Sequence, residues 1–291
     1  MARVVETVNP DRAGLDLRGY LDRIEYSGPV AATVETLVAV VAGHTRHIPF
    51  ENLDPLCGVP VEDLRAAALT AKLVDRRRGG YCYEHNTLLR YVLEELGFGV
   101  DALGGRVVWM NPTGLDGPPH AETHQALAVR VPGLVDPFLV DVGFGGQTLT
   151  APIRLEAGPV QQTDLGAFRI RTHDRWGGGY LLETLLGNNW QPMYTFTDRP
   201  RPLIDLELGS WYVSTHPRSI FVNGLSAALI VDDARMNLHG GTLSVHRRDG
   251  QTERTRLASA AEVVEVLGER FGLDVSGLPA VTERIAAVLD S

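Results

Sequence analysis

One cysteine of the chain stands in a context that suits nucleophilic chemistry. Cys82 lies within the stretch Arg-Gly-Gly-Tyr-Cys-Tyr-Glu-His-Asn of residues 78–86. Apolar residues recur at helical spacing over residues 88–96 and Gly97 follows them, which predicts a helix that begins close to the cysteine. The free N–H groups and the positive dipole end of a helix start both favour a thiolate. A small buried core residue is the alternative, but it would not need the glycine pair or the charged neighbours.

A cysteine nucleophile needs a base, and the best candidate is His124. It is one of nine histidines and stands on a predicted strand, where alternation places it on one face with Ala126 and Ala128. These small residues leave room beside the imidazole. A strand histidine with a purely structural hydrogen bond is the alternative. His85 is a weaker candidate, because a base one turn along the same helix leaves no place for a substrate between it and Cys82.

A carboxylate inside an apolar strand supplies the third group. Asp141 follows Phe-Leu-Val and precedes Val142, and burying a carboxylate there is costly unless it is paired or hydrogen-bonded. It could cap the following turn, or it could accept the N–H of an imidazole and fix its tautomer. The strands of His124 and Asp141 are consecutive and joined by a short turn at residues 132–134, so they can lie side by side. The three residues together predict a Cys-His-Asp triad.

The elements that must position these groups change in character along the chain. Residues 11–96 have helical periodicity, whereas the apolar period is two from residue 99 onward. The candidate strands of a small antiparallel barrel or sandwich are residues 100–109, 125–131, 135–142, 168–172, 180–185 and 190–195. The last third has predicted short strands around residues 221–222, 228–231, 242–246 and 253–257, and closing helices near 260–271 and 279–289.

Composition excludes several classes of function. The chain has 291 residues, of which 44% are hydrophobic and 22% charged, as in ordinary globular proteins. A net charge of −9 argues against a general nucleic-acid binder. The only cysteines are Cys57 and Cys82, too few for a disulfide framework or a four-cysteine zinc site, and no histidine pair has zinc-like spacing with them. Residues 1–10 lack the apolar segment of a signal peptide, and no apolar run approaches membrane-spanning length, so we expect a cytoplasmic protein.

Around the three candidate residues the sequence resembles the arylamine N-acetyltransferases of the actinobacterial type. The stretch around Cys82 resembles the nucleophile motif of that family, Thr-His at His124 resembles its base, and Val-Asp-Val-Gly-Phe-Gly at Asp141 resembles its orienting aspartate. Residues 48–53 and 211–217 resemble family segments too. The resemblance therefore extends over almost the whole chain.

The resemblance implies an α+β fold of three domains around a cysteine-protease-like Cys-His-Asp core. Residues 1–97 would form an N-terminal helical bundle that carries the nucleophile. Residues 98–202 would form a central antiparallel β-barrel that carries the histidine and the aspartate, and residues 203–291 an α/β lid with C-terminal helices.

The resemblance also implies a reaction. Acetyl-coenzyme A (acetyl-CoA) would donate the acetyl group, and an arylamine, arylhydroxylamine or arylhydrazine would accept it through an acetyl-cysteine intermediate in ping-pong order. The predicted partners are coenzyme A and this small-molecule acceptor, without metal, nucleic acid or membrane, and a homodimer is left open. The residues that the resemblance suggests for substrate and cofactor binding are Phe50, Thr123, Gly143, Phe144, Gly145, Gly146, Thr148 and Ser214.

Other classes share parts of this pattern. Isolated aromatic residues such as Phe50 and Phe144 are more often core, and glycines after a strand often serve a barrel corner. The triad order also fits papain-like and transglutaminase-like enzymes and a macrolactam-forming amide synthase with a carrier-bound acyl donor. A catalytically silent binding protein is a further alternative, which the intact triad argues against. Donor preference discriminates between the enzymes.

Overall fold

Residues 10–95 fold mainly into helices. The computed structural model describes residues 10–290, so residues 1–9 and 291, at the outer ends of the first and third predicted domains, lie outside the described part. A π-helical segment, Thr70–Asp75, directly continues α4. The α-helices of this region are α1 (Leu17–Arg23), α2 (Val34–His47), α3 (Leu53–Leu56), α4 (Ala66–Leu69) and α5 (Cys82–Glu95).

An eight-stranded antiparallel sheet forms the middle of the molecule. Its strand order is β5-β4-β3-β2-β9-β8-β7-β6. The edge strands β5 and β6 are linked by the Gln161 side chain, which accepts from Arg154 N at 2.7 Å and donates to Arg154 O at 2.9 Å, so the barrel is nearly closed. The strands are β2 (Gly99–Val107), β3 (His124–Arg130), β4 (Phe138–Val140), β5 (Ile153–Arg154), β6 (Val160–Thr163), β7 (Gly166–His173), β8 (Gly179–Leu186) and β9 (Asn189–Pro200).

The last third combines helices with a second antiparallel sheet. This sheet has the order β1-β10-β11-β12-β13, and β1 (Phe50–Glu51) comes from the helical region, where Phe50 pairs with Ala228. The other elements are α6 (Leu203–Thr215), α7 (Ile220–Asn223), β10 (Ser226–Val231), β11 (Ala234–His239), β12 (Thr242–Arg247), β13 (Thr252–Arg256), α8 (Ala260–Glu269) and α9 (Val281–Leu289).

Three apolar cores stabilise these layers. The first lies around α5 and joins the helical region to the barrel, with Leu88 and Leu127 both fully buried in it. The second fills the space between the second sheet and α8, where Val263 is fully buried. The third occupies the barrel interior around Phe168. Burying such side chains contributes about 1.5–3 kcal/mol each, and the first core holds the start of α5 against the barrel strands.

Two local predictions are wrong. Residues 221–222, predicted as a strand, lie in α7, because Ser219 accepts from Phe221 N and caps a helical turn there. The strand predicted over residues 135–142 is only Phe138–Val140, since Pro137 before it has no N–H to give to a ladder.

The predicted α+β class, with a helical region, an antiparallel barrel and an α/β last third, is confirmed. The boundaries of its three domains stay a prediction. Within residues 10–290, no helix is both long and apolar enough to cross a membrane.

Candidate active site

Cys82 is the first residue of α5, and its side chain is only 3% exposed. Its thiol donates to the carbonyl oxygen of Thr123 at 3.7 Å. The glycine pair at residues 79 and 80 allows the chain before Cys82 to pass close to Pro49 and Glu84. A Cβ at Gly79 would lie 1.9 Å from the Pro49 carbonyl oxygen, and one at Gly80 would lie 2.5 Å from a carboxylate oxygen of Glu84. No side chain fits at either position, which explains the two glycines.

His124, the first residue of β3, and Asp141, directly after the neighbouring strand β4, form a buried pair. The Nε2 of His124 lies 2.8 Å from Oδ2 of Asp141, and both side chains are at most 3% exposed. The pairing of Leu127 with Val140 sets this geometry, because it brings the start of β3 beside the end of β4. The sequence-based expectation that the two strands lie side by side is therefore confirmed.

His124 and Asp141 each stabilise the charged form of the other. Burial lowers the pKa of His124, but Asp141, together with the nearby Cys82 sulfur, outweighs burial and raises this pKa to about 10. Burial likewise opposes ionisation of Asp141, yet His124 outweighs it and lowers the pKa of Asp141. Since Nε2 of His124 bonds to Asp141, Nδ1 is the ring nitrogen left for the thiol. The arrangement favours an imidazolium beside the Asp141 carboxylate, with the Cys82 sulfur as its other neighbour.

Asn86, one turn along α5 from Cys82, holds the aspartate in place. Its Nδ2 donates to Oδ1 of Asp141 at 3.0 Å and to Gln125 O at 2.6 Å, while its Oδ1 accepts from Val142 N at 3.1 Å. Gly143 N donates to the same Oδ1 of Asp141 at 3.0 Å. Asn86 is not among the site residues predicted from the sequence, although its place four residues after Cys82 on the same helix face is a usable signal.

An aromatic wall borders the imidazole. Phe144 meets the His124 ring edge-to-face with centroids 5.3 Å apart, and Tyr194 lies 4.5 Å from it. Phe144 and Tyr194 also contact each other, at 5.5 Å. Phe144 was expected at the site, whereas Tyr194 on β9 was missed because strand alternation alone does not distinguish it from a core tyrosine.

Phe50 lies near the first turn of α5. Its ring stacks on His85 with centroids 6.4 Å apart and meets Phe221 edge-to-face at 5.9 Å. Gly145, with φ of +79°, lies against the same ring, because a Cβ there would be 3.3 Å from it. The turn after Asp141 and the Phe50 ring therefore touch.

The glycine-rich turn packs directly on the nucleophile helix. A Cβ at Gly143 would lie 2.6 Å from the Cα of Cys82. The Thr148 hydroxyl donates to Asp141 O at 2.7 Å, and a Cβ at Gly146 would lie 2.8 Å from Nδ2 of Asn237. The turn thus places Gly143 next to Cys82 and Gly146 next to the second sheet, while Thr148 is bonded back to Asp141.

The remaining predicted positions differ in their placement. Thr123, half-buried, presents its carbonyl oxygen to the thiol. Ser214 is buried on α6, where its hydroxyl accepts from Val61 N at 3.1 Å and donates to Trp211 O at 3.2 Å. The hydroxyl of Ser214 is therefore engaged in packing α6 against the helical region.

His85 does not face the thiol. Its Nδ1 lies 2.7 Å from His44 Nε2, and its Nε2 lies 3.1 Å from the Pro49 carbonyl oxygen. His44 Nδ1 in turn accepts from the Tyr20 hydroxyl at 2.8 Å. Both nitrogens of His85 are occupied in this buried chain, which leaves His124 as the base candidate. Among residues 10–290 there is no group of three His, Cys, Asp or Glu side chains placed to hold a metal ion.

A thiol at a helix start beside a buried histidine–carboxylate pair suits enzymes that pass an acyl group through a cysteine thioester. The sequence model of a family described as N-acetyltransferase matches residues 33–280. The arylamine N-acetyltransferase of Mycolicibacterium smegmatis is 58% identical over 279 residues, which cover 95% of this chain and 99% of that relative.

Solved structures agree with the sequence comparison. The structure of Mycobacterium marinum arylamine N-acetyltransferase is 54% identical with a TM-score of 0.90, covering 94% of this chain and 100% of that one. A structure of the enzyme from the same organism in complex with CoA is 55% identical with a TM-score of 0.88, covering 94% and 98%. The chain belongs to the arylamine N-acetyltransferase family and is an acyltransferase, and these relatives do not favour the amide-synthase alternative.

Proposed function

We propose that this chain transfers an acetyl group from acetyl-CoA to the amine of arylamines, arylhydroxylamines or arylhydrazines. The transfer runs in ping-pong order through an acetyl-cysteine at Cys82. The observation that carries the proposal is the buried His124–Asp141 pair of 2.8 Å next to the Cys82 thiol. The relatives named as arylamine N-acetyltransferases, one of them solved with CoA, support the donor and the acceptor class.

In the first half-reaction the Cys82 thiolate attacks the thioester carbonyl carbon of acetyl-CoA, and a new C–S bond forms. The first N–H groups of a helix have no intrahelical acceptor, so those of Cys82 and Tyr83 can donate to the developing oxyanion. The C–S bond to coenzyme A then breaks. The departing thiolate takes a proton from the His124 imidazolium, and the products are free coenzyme A and neutral His124.

In the second half-reaction the acceptor amine attacks the acetyl carbon on Cys82. His124 takes the amine proton as general base, and the C–S bond to Cys82 breaks. The N-acetyl product leaves and the thiolate–imidazolium pair is restored. Asp141 serves both steps because its carboxylate stabilises the imidazolium and holds the ring in one tautomer.

The aromatic and glycine-rich surfaces near the thiol suit the two substrates. We assign Phe50 and Phe144 to the acceptor, since aromatic rings favour edge-to-face or offset contacts with an aromatic amine. We assign Thr123, Gly143, Gly145, Gly146, Thr148 and Ser214 to the coenzyme A side, with the hydroxyls of Thr148 and Ser214 acting through the backbone they hold. A cytoplasmic location, a homodimer and the three domain boundaries remain predictions.

Intact-protein mass spectrometry tests the cycle. Wild type, Cys82→Ala and the matched control Cys57→Ala are exposed briefly to acetyl-CoA without acceptor. We expect a single-acetyl adduct on wild type and on Cys57→Ala and none on Cys82→Ala, because burial raises the pKa of Cys57 to about 11 and keeps it protonated. An added arylamine or arylhydrazine should discharge the adduct. Intact wild type that binds coenzyme A but forms no adduct would exclude acetyl-CoA as donor.

A further inference from the structure

Five ionisable side chains form a buried charge cluster beneath the start of α5. Each belongs to a different local segment and is at most 8% exposed. Arg78 Nη2 lies 2.7 Å from Glu51 and 3.0 Å from Asp54, and Lys72 Nζ lies 2.6 Å from Glu84 and also pairs with Asp54. The cluster holds three acids and two bases. It is too well buried to be screened by solvent, so its members control one another's charge.

Lys72 is the only lysine of the chain. It stands on the π-helical segment that continues α4 and is 7% exposed. π-Helical turns are rare and frequently lie at functional sites. Burial lowers the pKa of a lysine, but Glu84, Glu51 and Asp54 outweigh burial and raise the pKa of Lys72 above its usual value. Lys72 is therefore a fixed positive charge inside the protein.

Glu84 connects this charge to the nucleophile. It is the third residue of α5, and its Oε2 accepts from the backbone N–H of Tyr81 at 3.2 Å while its Oε1 takes the Lys72 ammonium. Tyr81 directly precedes Cys82, so this one carboxylate fixes the start of the helix that carries the thiol. The same carboxylate lies against Gly80, where no Cβ fits.

We propose that Lys72 is a positioning residue for the Cys82 thiol: its ammonium pairs with the Glu84 carboxylate and favours the ionised form, so that Glu84 caps the helix start and holds Sγ beside His124. The inference rests on the proposed function only in taking Cys82 as the nucleophile. Without Lys72, Arg78 would be the one base among residues 10–290 that pairs with any of these three acids. A buried carboxylate that loses its counterion takes up a proton, and a protonated Glu84 is a weaker acceptor for Tyr81 N–H.

The charge state of Glu84 gives this role a pH signature. Burial raises the pKa of Glu84 to about 7, although Lys72 pulls it down. The groups that face Glu84 are Lys72, Asp54 and Glu51, with Arg78 bound to the two latter acids and Tyr81 at the helix start. Loss of Lys72 should raise the pKa of Glu84 further, so that the cap forms only at higher pH.

Alkylation of the thiol by iodoacetamide tests the proposal without any acetyl donor. The variants are Lys72→Met, Lys72→Arg, Glu84→Gln and the double variant Lys72→Met/Glu84→Gln, with modification mapped to Cys82 or Cys57 by mass spectrometry. We expect Lys72→Met to slow Cys82 alkylation by about tenfold or more near neutral pH, because a small displacement of a reacting group is costly. Its rate should approach that of wild type about two pH units higher.

The other variants separate positioning from general stabilisation. Lys72→Arg keeps the charge and should stay within about threefold of wild type. Glu84→Gln keeps an acceptor for Tyr81 N–H but has no carboxyl group to titrate. Its plot of Cys82 alkylation rate against pH should therefore lose the inflection near pH 7 that Glu84 gives wild type. In the Glu84→Gln background, Lys72→Met should have an effect below about twofold, because residues that act through one another are not additive.

Two results would overturn the proposal. One is Lys72→Met with wild-type alkylation at every pH and only a lower thermal midpoint. The other is an equally large effect of Lys72→Met in the Glu84→Gln background. If Lys72→Met does not fold, Glu84→Gln replaces it as the test. A pH profile of Cys82 alkylation that keeps the inflection near pH 7 in Glu84→Gln would also overturn the proposal. Because alkylation needs no acetyl-CoA, failure of the acetyl-transfer proposal would leave these outcomes readable.

Discussion

Asn86 and Asp141 are joined by a hydrogen bond of 3.0 Å that ties the thiol-bearing helix to the end of the carboxylate-bearing strand. The distance between Cys82 and the His124–Asp141 pair therefore depends on how α5 packs against the barrel. A change at Asn86 should therefore act on stability and on chemistry together.

Asn86→Ala should lower the free energy of unfolding by about 2–3 kcal/mol, because it leaves Val142 N and Gln125 O buried without this partner. Urea unfolding measures the loss. Asn223→Ala, which removes exposed bonds to Pro217 O and Ser219 O, serves as the control and should cost under about 1 kcal/mol. Equal losses in the two variants would contradict the special place of Asn86.

Asp141→Asn should slow acetyl-enzyme formation by about 10³-fold or more, since the amide neither stabilises the imidazolium nor fixes its tautomer. The pKa of His124, now about 10, should fall because its largest stabilising partner is gone. Stopped-flow measurement of coenzyme A release gives the rate. Asp164→Asn is the matched control, since its carboxylate is 60% exposed in loose pairs with Arg46 and Arg248. A similar slowing in Asp164→Asn would count against a role for Asp141 in the chemistry.

Gly143→Ala should disturb the contact between the glycine-rich turn and α5. The new Cβ would lie 2.6 Å from Cys82 Cα and 2.9 Å from Asn86 Nδ2, so backbone must move. We expect a loss of about 1–3 kcal/mol from overpacking and a reduced rate of acetylation. Gly277→Ala, where a Cβ meets nothing within 4 Å, should stay within about 0.5 kcal/mol of wild type. Thermal unfolding compares the pair, and a neutral Gly143→Ala would refute the predicted clash.

The buried chain of Tyr20, His44 and His85 should make stability sensitive to acid. Burial lowers the pKa of His85 to about 4 and that of His44 well below its ordinary value. The unfolded chain binds these protons near pH 6.5. Between about pH 6.5 and pH 4 the unfolded state therefore holds more protons than the folded state, and this contribution to stability falls as pH falls.

Comparing wild type with His85→Gln separates the contribution of the buried histidines from that of the carboxylates, which titrate in the same pH range. Urea unfolding across the same pH range should give a shallower acid-side slope for His85→Gln. His239→Gln, at the exposed end of β11, should keep the slope of wild type. An unchanged slope in His85→Gln would show that the buried chain takes up protons in the folded state.

The three residues of the candidate triad could be found from the sequence because each is locally anomalous. A cysteine after two glycines, and a carboxylate in an apolar strand, are visible without knowledge of the fold. The adjacency of β3 and β4 also follows from a short connection. The pairing of Leu127 with Val140 is the register that places His124 beside Asp141.

The parts that could not be predicted depend on contacts between distant segments. Asn86 becomes part of the site only where α5 meets the end of β4, and Tyr194 only where β9 meets the start of β3. The helix α6 was missed because its apolar residues are spread around it, with Leu206 buried and Leu208 exposed, so no helical stripe is visible. Strand β1 is two residues long and is defined by pairing with distant segments, β10 on one side and Gly80 on the other.

The pairing of Phe50 with Ala228 has a consequence for biosynthesis. Strand β1, which lies beside the turn before Cys82, pairs with β10 from the last third of the chain. A nascent protein on the ribosome therefore cannot form this strand pair until that third has emerged. Domains that fold as they are made usually proceed from the amino terminus. Cys82, the candidate nucleophile, is therefore synthesised well before β10, and a prematurely released fragment would carry this cysteine without the strand that completes its surroundings.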